Sequence, residues 1–291
     1  MSPKLHYLLA IVFISLAVFA CVQKRFRSFE ELPERYRGTP SYTLLAERYV
    51  ETGVLGNSRP PLYPIYLVSC LKVFGSKNYF YAAVFGQICV LFMILFLVYS
   101  LGSKAGGGVL WGYLSMSLVI FNQGFMYEML LKRETFLFTL LLLLLFRGVV
   151  NNSYLSLKGV AWLSLLSSLA WLCRPSGFIL ILVLLFFILK SSKESKVMPR
   201  LLVSAFISLL CILPWISHQK AYSKKVYISG SSSSLNLYKG NNKSLMHFYP
   251  YLDVDLLAKH TVSLKKTWKK RGLNNRNCLL YTSDAADDCE G

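Results

Sequence analysis

Residues 137–146 read LFTLLLLLLF and residues 178–189 read FILILVLLFFIL, and neither stretch holds an ionisable side chain. Runs of this kind exceed what a core helix of a soluble protein needs and point to helices that sit in lipid. Working outward, spans are expected at 79–101, 109–126, 134–149, 157–173, 176–189 and 201–216. A further run at 5–22 follows Lys4 and reads as a retained anchor rather than a cleaved signal peptide, because it is long enough to cross and more spans follow. The chain is 54% hydrophobic and 16% charged, so most of it belongs in a bilayer. The expected fold is an all-α polytopic membrane protein with about seven transmembrane helices.

Between the first two spans lies a polar loop, 23–78, with two short helices. Residues 41–52 read as one of them, capped by Ser41 and with Leu44, Leu45, Arg48 and Tyr49 giving it an apolar side. Residues 62–74 are too short and too proline-rich for a crossing and read as an interfacial or re-entrant helix. Just before them stands Arg59-Pro60-Pro61-Leu62-Tyr63-Pro64. The prolines force extended or turn backbone, Arg59 cannot lose its charge, and Tyr63 is an amphipathic ring suited to a water–lipid boundary. A rigid cationic shelf of this kind suits a lipid-linked phosphate.

The formal net charge of +18 invites a nucleic-acid reading. The Lys and Arg lie in short loops and in the final third, not along an amphipathic face, so topology and phosphate contacts account for them better. Of the 7 cysteines, Cys21, Cys70, Cys89, Cys173 and Cys211 are scattered through apolar segments, where free Cys behaves as a small hydrophobe. No CxxC or Cys/His ligand spacing occurs, and His6, His218, His247 and His260 form no metal pair.

With the N-terminus cytoplasmic and 62–74 not crossing, the loops at Lys104, 147–158 and 190–200 are cytoplasmic. The last carries Lys190, Lys193, Lys196 and Arg200 against Glu194, as the positive-inside rule prefers. The first loop, the Lys132-Arg133-Glu134 turn, the Arg174-Pro175 turn and everything after Ser217 then share the opposite side. Glu134 opens an apolar helix, where a carboxylate suits the helix dipole, and ionisable groups at membrane depth tend to line polar cavities. Arg174 separates two apolar helices and has the planar fork that grips a phosphate. Tyr238, Asn241 and Asn242, in a Gly/Asn-rich turn, are candidates to bind sugar hydroxyls, and Tyr42 is a further substrate-binding candidate.

These segments, in this order, resemble the membrane glycosyltransferases that use polyprenyl-phosphate-linked sugars (the C-type fold superfamily). The nearest group is that of the lipid A aminoarabinose transferase and the protein O-mannosyltransferases. The matching pieces are Tyr42 with Leu45-Ala46-Glu47, Gly53, residues 59–64, Phe74-Gly75, Leu130-Leu131 with Glu134, residues 169–175, Pro214-Trp215, and Asn236-Leu237-Tyr238 with Gly240-Asn241-Asn242. The resemblance implies a multi-span module, 1–216, followed by an extracytoplasmic segment, 217–277. It implies an active site facing away from the cytoplasm in a plasma membrane, the inner membrane of a bacterium. The implied reaction moves a sugar from a polyprenyl phosphate to a glycan, lipid or protein acceptor with inversion. A divalent metal is the one candidate cofactor. The resemblance also implies an acid a few positions before Tyr42, but Gly38-Thr39-Pro40-Ser41 has none. Glu34 is therefore the first candidate base and Glu134 the second, with Arg59, Tyr63, Arg133 and Arg174 at the phosphate. A lipid-linked sugar flippase and an inactive envelope scaffold are the competing classes.

Residues 278–291 depart abruptly from this pattern and resemble a translated sequencing adapter, so they are set apart from the fold. The natural reading frame is expected to stop near Asn277, leaving an N-terminal fragment.

Overall fold

The computed structural model describes residues 40–56, 59–128, 133–191 and 197–223. The expected anchor at 5–22, Glu34, Lys132, Tyr238, Asn241, Asn242 and the tail at 278–291 lie outside the described residues. The chain divides into two units, 1–56 with 60–226 and 57–59 with 227–291. Of the second, Arg59 alone is described, and it is half-buried. The fold below is that of the first unit.

Every regular element among the described residues is helical. Helix α1 (Pro40–Thr52) is followed by α2 (Leu62–Ala105), α3 (Val109–Phe121), α4 (Gln123–Glu128) and α5 (Thr135–Val150). Then come α6 (Leu157–Cys173), α7 (Phe178–Lys190) and α8 (Val197–Ser223), with short 3-10 turns at Ser153–Leu155 and Pro175–Gly177. Two helices, α2 and α8, are long and apolar enough to cross a membrane. The other apolar helices run 10–17 residues.

The 44 residues of α2 would stretch about 66 Å if straight, twice the ~30 Å of a bilayer core. They are not straight. Gly75 has φ 74 and ψ 168, a backbone state that a residue with a Cβ adopts only at a cost. It divides α2 into an approach limb, 62–74, and a long limb, 76–105. The approach limb folds back on the long one, where the Tyr66 hydroxyl donates to the Ala83 carbonyl at 2.6 Å. Tyr42 and Ala46 of α1 pack with Tyr63, Leu67, Val68 and Ala83 in one buried cluster. The buried face of α1 is therefore Tyr42, Leu45 and Ala46, a stripe at helical spacing, while Leu44 is 62% exposed.

The long limb packs against α3 and α5 around Leu91, Ile94, Leu95, Met116, Ile120 and Phe136. A second cluster joins α5, α6 and α7 through Leu141, Leu145, Val160, Leu163, Leu184 and Ile188. Helix α8 lies along α6, where the Ser164 hydroxyl donates to the Ser204 hydroxyl at 2.9 Å. Outward faces are apolar as well. Leu110, Leu118, Phe121, Leu202 and Phe206 are each more than 60% exposed.

Three boundaries differ from expectation for identifiable reasons. The span at 109–126 is broken at Asn122, whose Oδ1 accepts the Phe125 N–H at 3.0 Å and starts a new short helix. Glu134 stands one residue before α5, at its N-cap, and makes no side-chain cap there. Helix α8 runs past 216 to Ser223 and through Pro214. Its polar end is held because His218 Nε2 meets the Leu55 carbonyl at 2.6 Å and Gln219 is buried.

Candidate functional site

Two hydrogen bonds set how α5 lies along the long limb of α2. At one end the Gln87 side-chain amide donates to the Arg133 carbonyl at 3.3 Å. At the other, Lys104 Nζ donates to Asn151 Oδ1 at 2.8 Å. The stretches 87–104 and 133–151 are nearly equal in length, so the two helices run parallel and each rises roughly 26 Å between these contacts. Charged groups gather at both ends. Lys104, Arg147 in the last turn of α5, Lys158 in the first turn of α6 and Lys190 in the last turn of α7 lie at the Asn151 end. Arg200 joins them, its guanidinium donating to the Ser191 hydroxyl at 3.3 Å. At the Gln87 end the groups are of both signs.

Glu134 and Arg174 are brought together there. Glu134 Oε1 is 3.8 Å from Arg174 Nε, with the carboxylate side chain 12% exposed and the guanidinium side chain 47%. The local structure explains the meeting. Arg174 is extended, φ −147 and ψ 137, as a residue before proline prefers, and Pro175 opens the following 3-10 turn. Its N–H still bonds to the Ala170 carbonyl at 2.9 Å, so it is tied to the end of α6. Gly177 lets the turn close: a Cβ there would stand 2.3 Å from the Ala170 carbonyl carbon. The neighbouring Cys173 thiol donates to the Glu134 carbonyl at 3.7 Å. One turn into α5, the Phe138 ring lies 5.8 Å from the guanidinium carbon of Arg174, within cation–π range. An ion pair this exposed contributes about 1 kcal/mol or less to stability, so its effect is chiefly to orient the two groups.

Arg133 pairs elsewhere. Its guanidinium is 3.0 Å from Glu128 Oε1, and Thr135 Oγ1 donates to Glu128 Oε2 at 3.0 Å. Glu128 thus bridges the start of α5 to the end of α4. Tyr63, expected at the water boundary, is instead buried, at 1% exposed, as is the substrate-binding candidate Tyr42, at 3%. Their rings meet edge to face at 5.2 Å, Gln87 donates to the Tyr63 hydroxyl, and Glu134 lies within electrostatic range of it. The reason is that α1 closes over the approach limb, which an interfacial reading of 59–64 does not anticipate.

Gln87, Glu128 and Cys173 were not singled out from sequence. Gln87 had a legible signal, an amide in the middle of an apolar span. Among the described residues, no three of His, Cys, Asp and Glu are grouped to hold a metal ion. Glu134 faces Arg174, and both Glu128 oxygens are engaged. The described residues of the site therefore offer no ligand set for a divalent metal.

Comparison with protein-family models, with curated proteins and with solved structures finds no match to this chain.

Proposed function

We propose that the chain is a polytopic membrane glycosyltransferase that moves a sugar from a polyprenyl phosphate to an extracytoplasmic glycan, lipid or protein acceptor, with inversion. The observation that carries this reading is the Glu134–Arg174 pair, an acid and a phosphate-matching fork held at one end of an apolar helical slab. The roughly 26 Å between that end and the Lys104–Asn151 contact is close to the ~30 Å of a bilayer core. Only 17% of the most apolar stretch of α8 is buried, whereas a soluble core helix would be mostly covered. With 5–22, these helices make about seven crossings. The predominantly basic end then lies in the cytoplasm, the inner face of a bacterial plasma membrane, and the mixed-charge end opens to the other side.

In this reading an acceptor hydroxyl or amine attacks the anomeric carbon from the face opposite the phosphate. The carbon–oxygen bond to phosphate breaks, and its electron pair stays on the phosphate oxygen. Arg174 meets that developing charge, where preorganised cations are worth most; Arg59 is the other candidate for the phosphate. The acceptor's proton passes to a carboxylate, Glu34 or Glu134. Arg133 is held back by Glu128 and shapes the mouth rather than the phosphate seat. Tyr42 and Tyr63 pack the approach limb, and Tyr238, Asn241 and Asn242 are the candidates for binding the sugar.

The test uses the full-length chain in lipid with radiolabelled polyprenyl-phosphate sugars. Arg174→Gln is expected to lower turnover by about 10²–10³-fold at unchanged protein level. Transfer at the wild-type rate by both Arg174→Gln and Arg59→Gln overturns the assignment.

A further inference from the structure

Gln87 is 3% exposed and lies in the most apolar part of α2. Its Nε2 bonds to the Tyr63 hydroxyl and to the Arg133 carbonyl at 3.3 Å. The first partner belongs to the approach limb, and the second is the residue before Glu134. The amide's orientation follows from chemistry: a carbonyl oxygen only accepts, so the nitrogen must face Arg133. Gln87 Oε1 is buried and has no partner among the described residues. A leucine would fill this volume without burying an unsatisfied acceptor, so for stability alone the amide is a poor choice. A side chain that violates the packing rule at membrane depth is the mark of a residue kept for what it holds.

We propose that Gln87 is a positioning residue: its single amide nitrogen braces the approach limb, through Tyr63, to the entry of α5, through Arg133, and so fixes the depth at which Glu134 meets Arg174. The brace joins three chain segments that no other described hydrogen bond joins at one point. It works because both partners are acceptors, so one NH2 group serves both. Its structural part is independent of the reaction; its catalytic part rests on the transferase reading.

The experiment compares wild type, Gln87→Leu, Tyr63→Phe and the double variant as full-length chains in lipid nanodiscs. Amide hydrogen exchange is followed in 62–74 and 133–138, with 157–173 as the internal reference, and kcat and KM are measured for a polyprenyl-phosphate sugar. Gln87→Leu is expected to exchange about ten-fold faster in both segments and Tyr63→Phe in 62–74, each leaving the reference unchanged. Turnover should fall about ten-fold with KM within about two-fold, and the double variant should be no worse than Gln87→Leu, which already removes the bond to Tyr63 along with the one to Arg133. Unchanged exchange in the two segments overturns the brace, whatever the activity. Faster exchange with an unchanged kcat overturns the positioning role. Faster exchange in a chain whose wild type transfers no sugar leaves the brace standing and removes the transferase reading instead. If Gln87→Leu does not fold, Tyr63→Phe, which deletes one oxygen and opens no cavity, decides by the same criteria.

Discussion

The Glu134 carboxylate reaches Arg174 Nε at 3.8 Å across the whole α5–α6 hairpin, and the Cys173 thiol reaches the Glu134 carbonyl beside it. Two contacts from adjacent residues onto one residue leave little freedom of rotation between the helix ends. If the pair acts as a unit, its removal should not be additive. Glu134→Gln and Arg174→Gln are each expected to cost about 10²-fold in turnover, and the double variant little more. Thermal unfolding should shift by about 1 kcal/mol or less in each, because the guanidinium is half exposed. Additive losses in a double-mutant cycle of kcat would show that the two groups act separately.

Gly75 offers a test of the bend that places the approach limb. No atom stands within 4 Å of where a Cβ would be, so a substitution there meets no clash, and its cost is conformational alone. Gly75→Ala and Gly75→Asn are each expected to destabilise by about 1–3 kcal/mol and Gly75→Val by more, because φ 74 with ψ 168 is open essentially to glycine alone and lies outside the left-handed helical region that Asn tolerates. Denaturation in mild detergent, read by circular dichroism, gives the ranking. A near-neutral Gly75→Ala, with a cost that appears only as the side chain grows, would mean that packing, not φ, governs the site.

Gly177 predicts the opposite kind of failure. Its Cβ would meet the backbone of Ala170 at 2.3 Å, and backbone cannot step aside as a flexible side chain does. Gly177→Ala should therefore displace the turn that carries Arg174, at a cost of about 1–3 kcal/mol. The measurement is the melting temperature together with sugar transfer, both of which should drop. A variant with wild-type stability would show that the turn is loosely seated.

The helices were legible because apolar runs announce themselves, and the meeting of Glu134 with Arg174 follows from counting alternate crossings. What local pattern could not carry was pairing between distant segments. Burial of Tyr42 and Tyr63 depends on α1 folding over the approach limb, and nothing in residues 59–64 alone distinguishes a ring facing lipid headgroups from one facing another helix. The break at Asn122 rests on one side-chain hydrogen bond. The polar end of α8 continues because His218 finds a carbonyl in a distant loop. Arg133 was grouped with the phosphate-binding residues on charge alone, while Glu128, which engages it at 3.0 Å, sits in a stretch with no periodic signal.

The proposed membrane topology makes the last prediction. The Lys104–Asn151 contact and the Gln87–Arg133 contact mark opposite ends of two parallel helices, and five basic residues at the first end fit a cytoplasmic face. Single cysteines placed at Lys104, Lys158 and Arg174 should therefore differ in reaction with a maleimide that cannot cross the bilayer. In sealed, right-side-out vesicles Arg174→Cys should label at once, whereas Lys104→Cys and Lys158→Cys should label only after permeabilisation. The native buried cysteines, Cys70 and Cys173, add little background, and the other five, Cys21, Cys89, Cys211, Cys278 and Cys289, are replaced by Ser beforehand. The contrast matters because the alternative folding of 62–74 as a full crossing reverses every later helix. Labelling of Lys104→Cys without permeabilisation would put the basic end outside and leave the Glu134–Arg174 pair facing the cytosol, where an extracytoplasmic acceptor could not reach it.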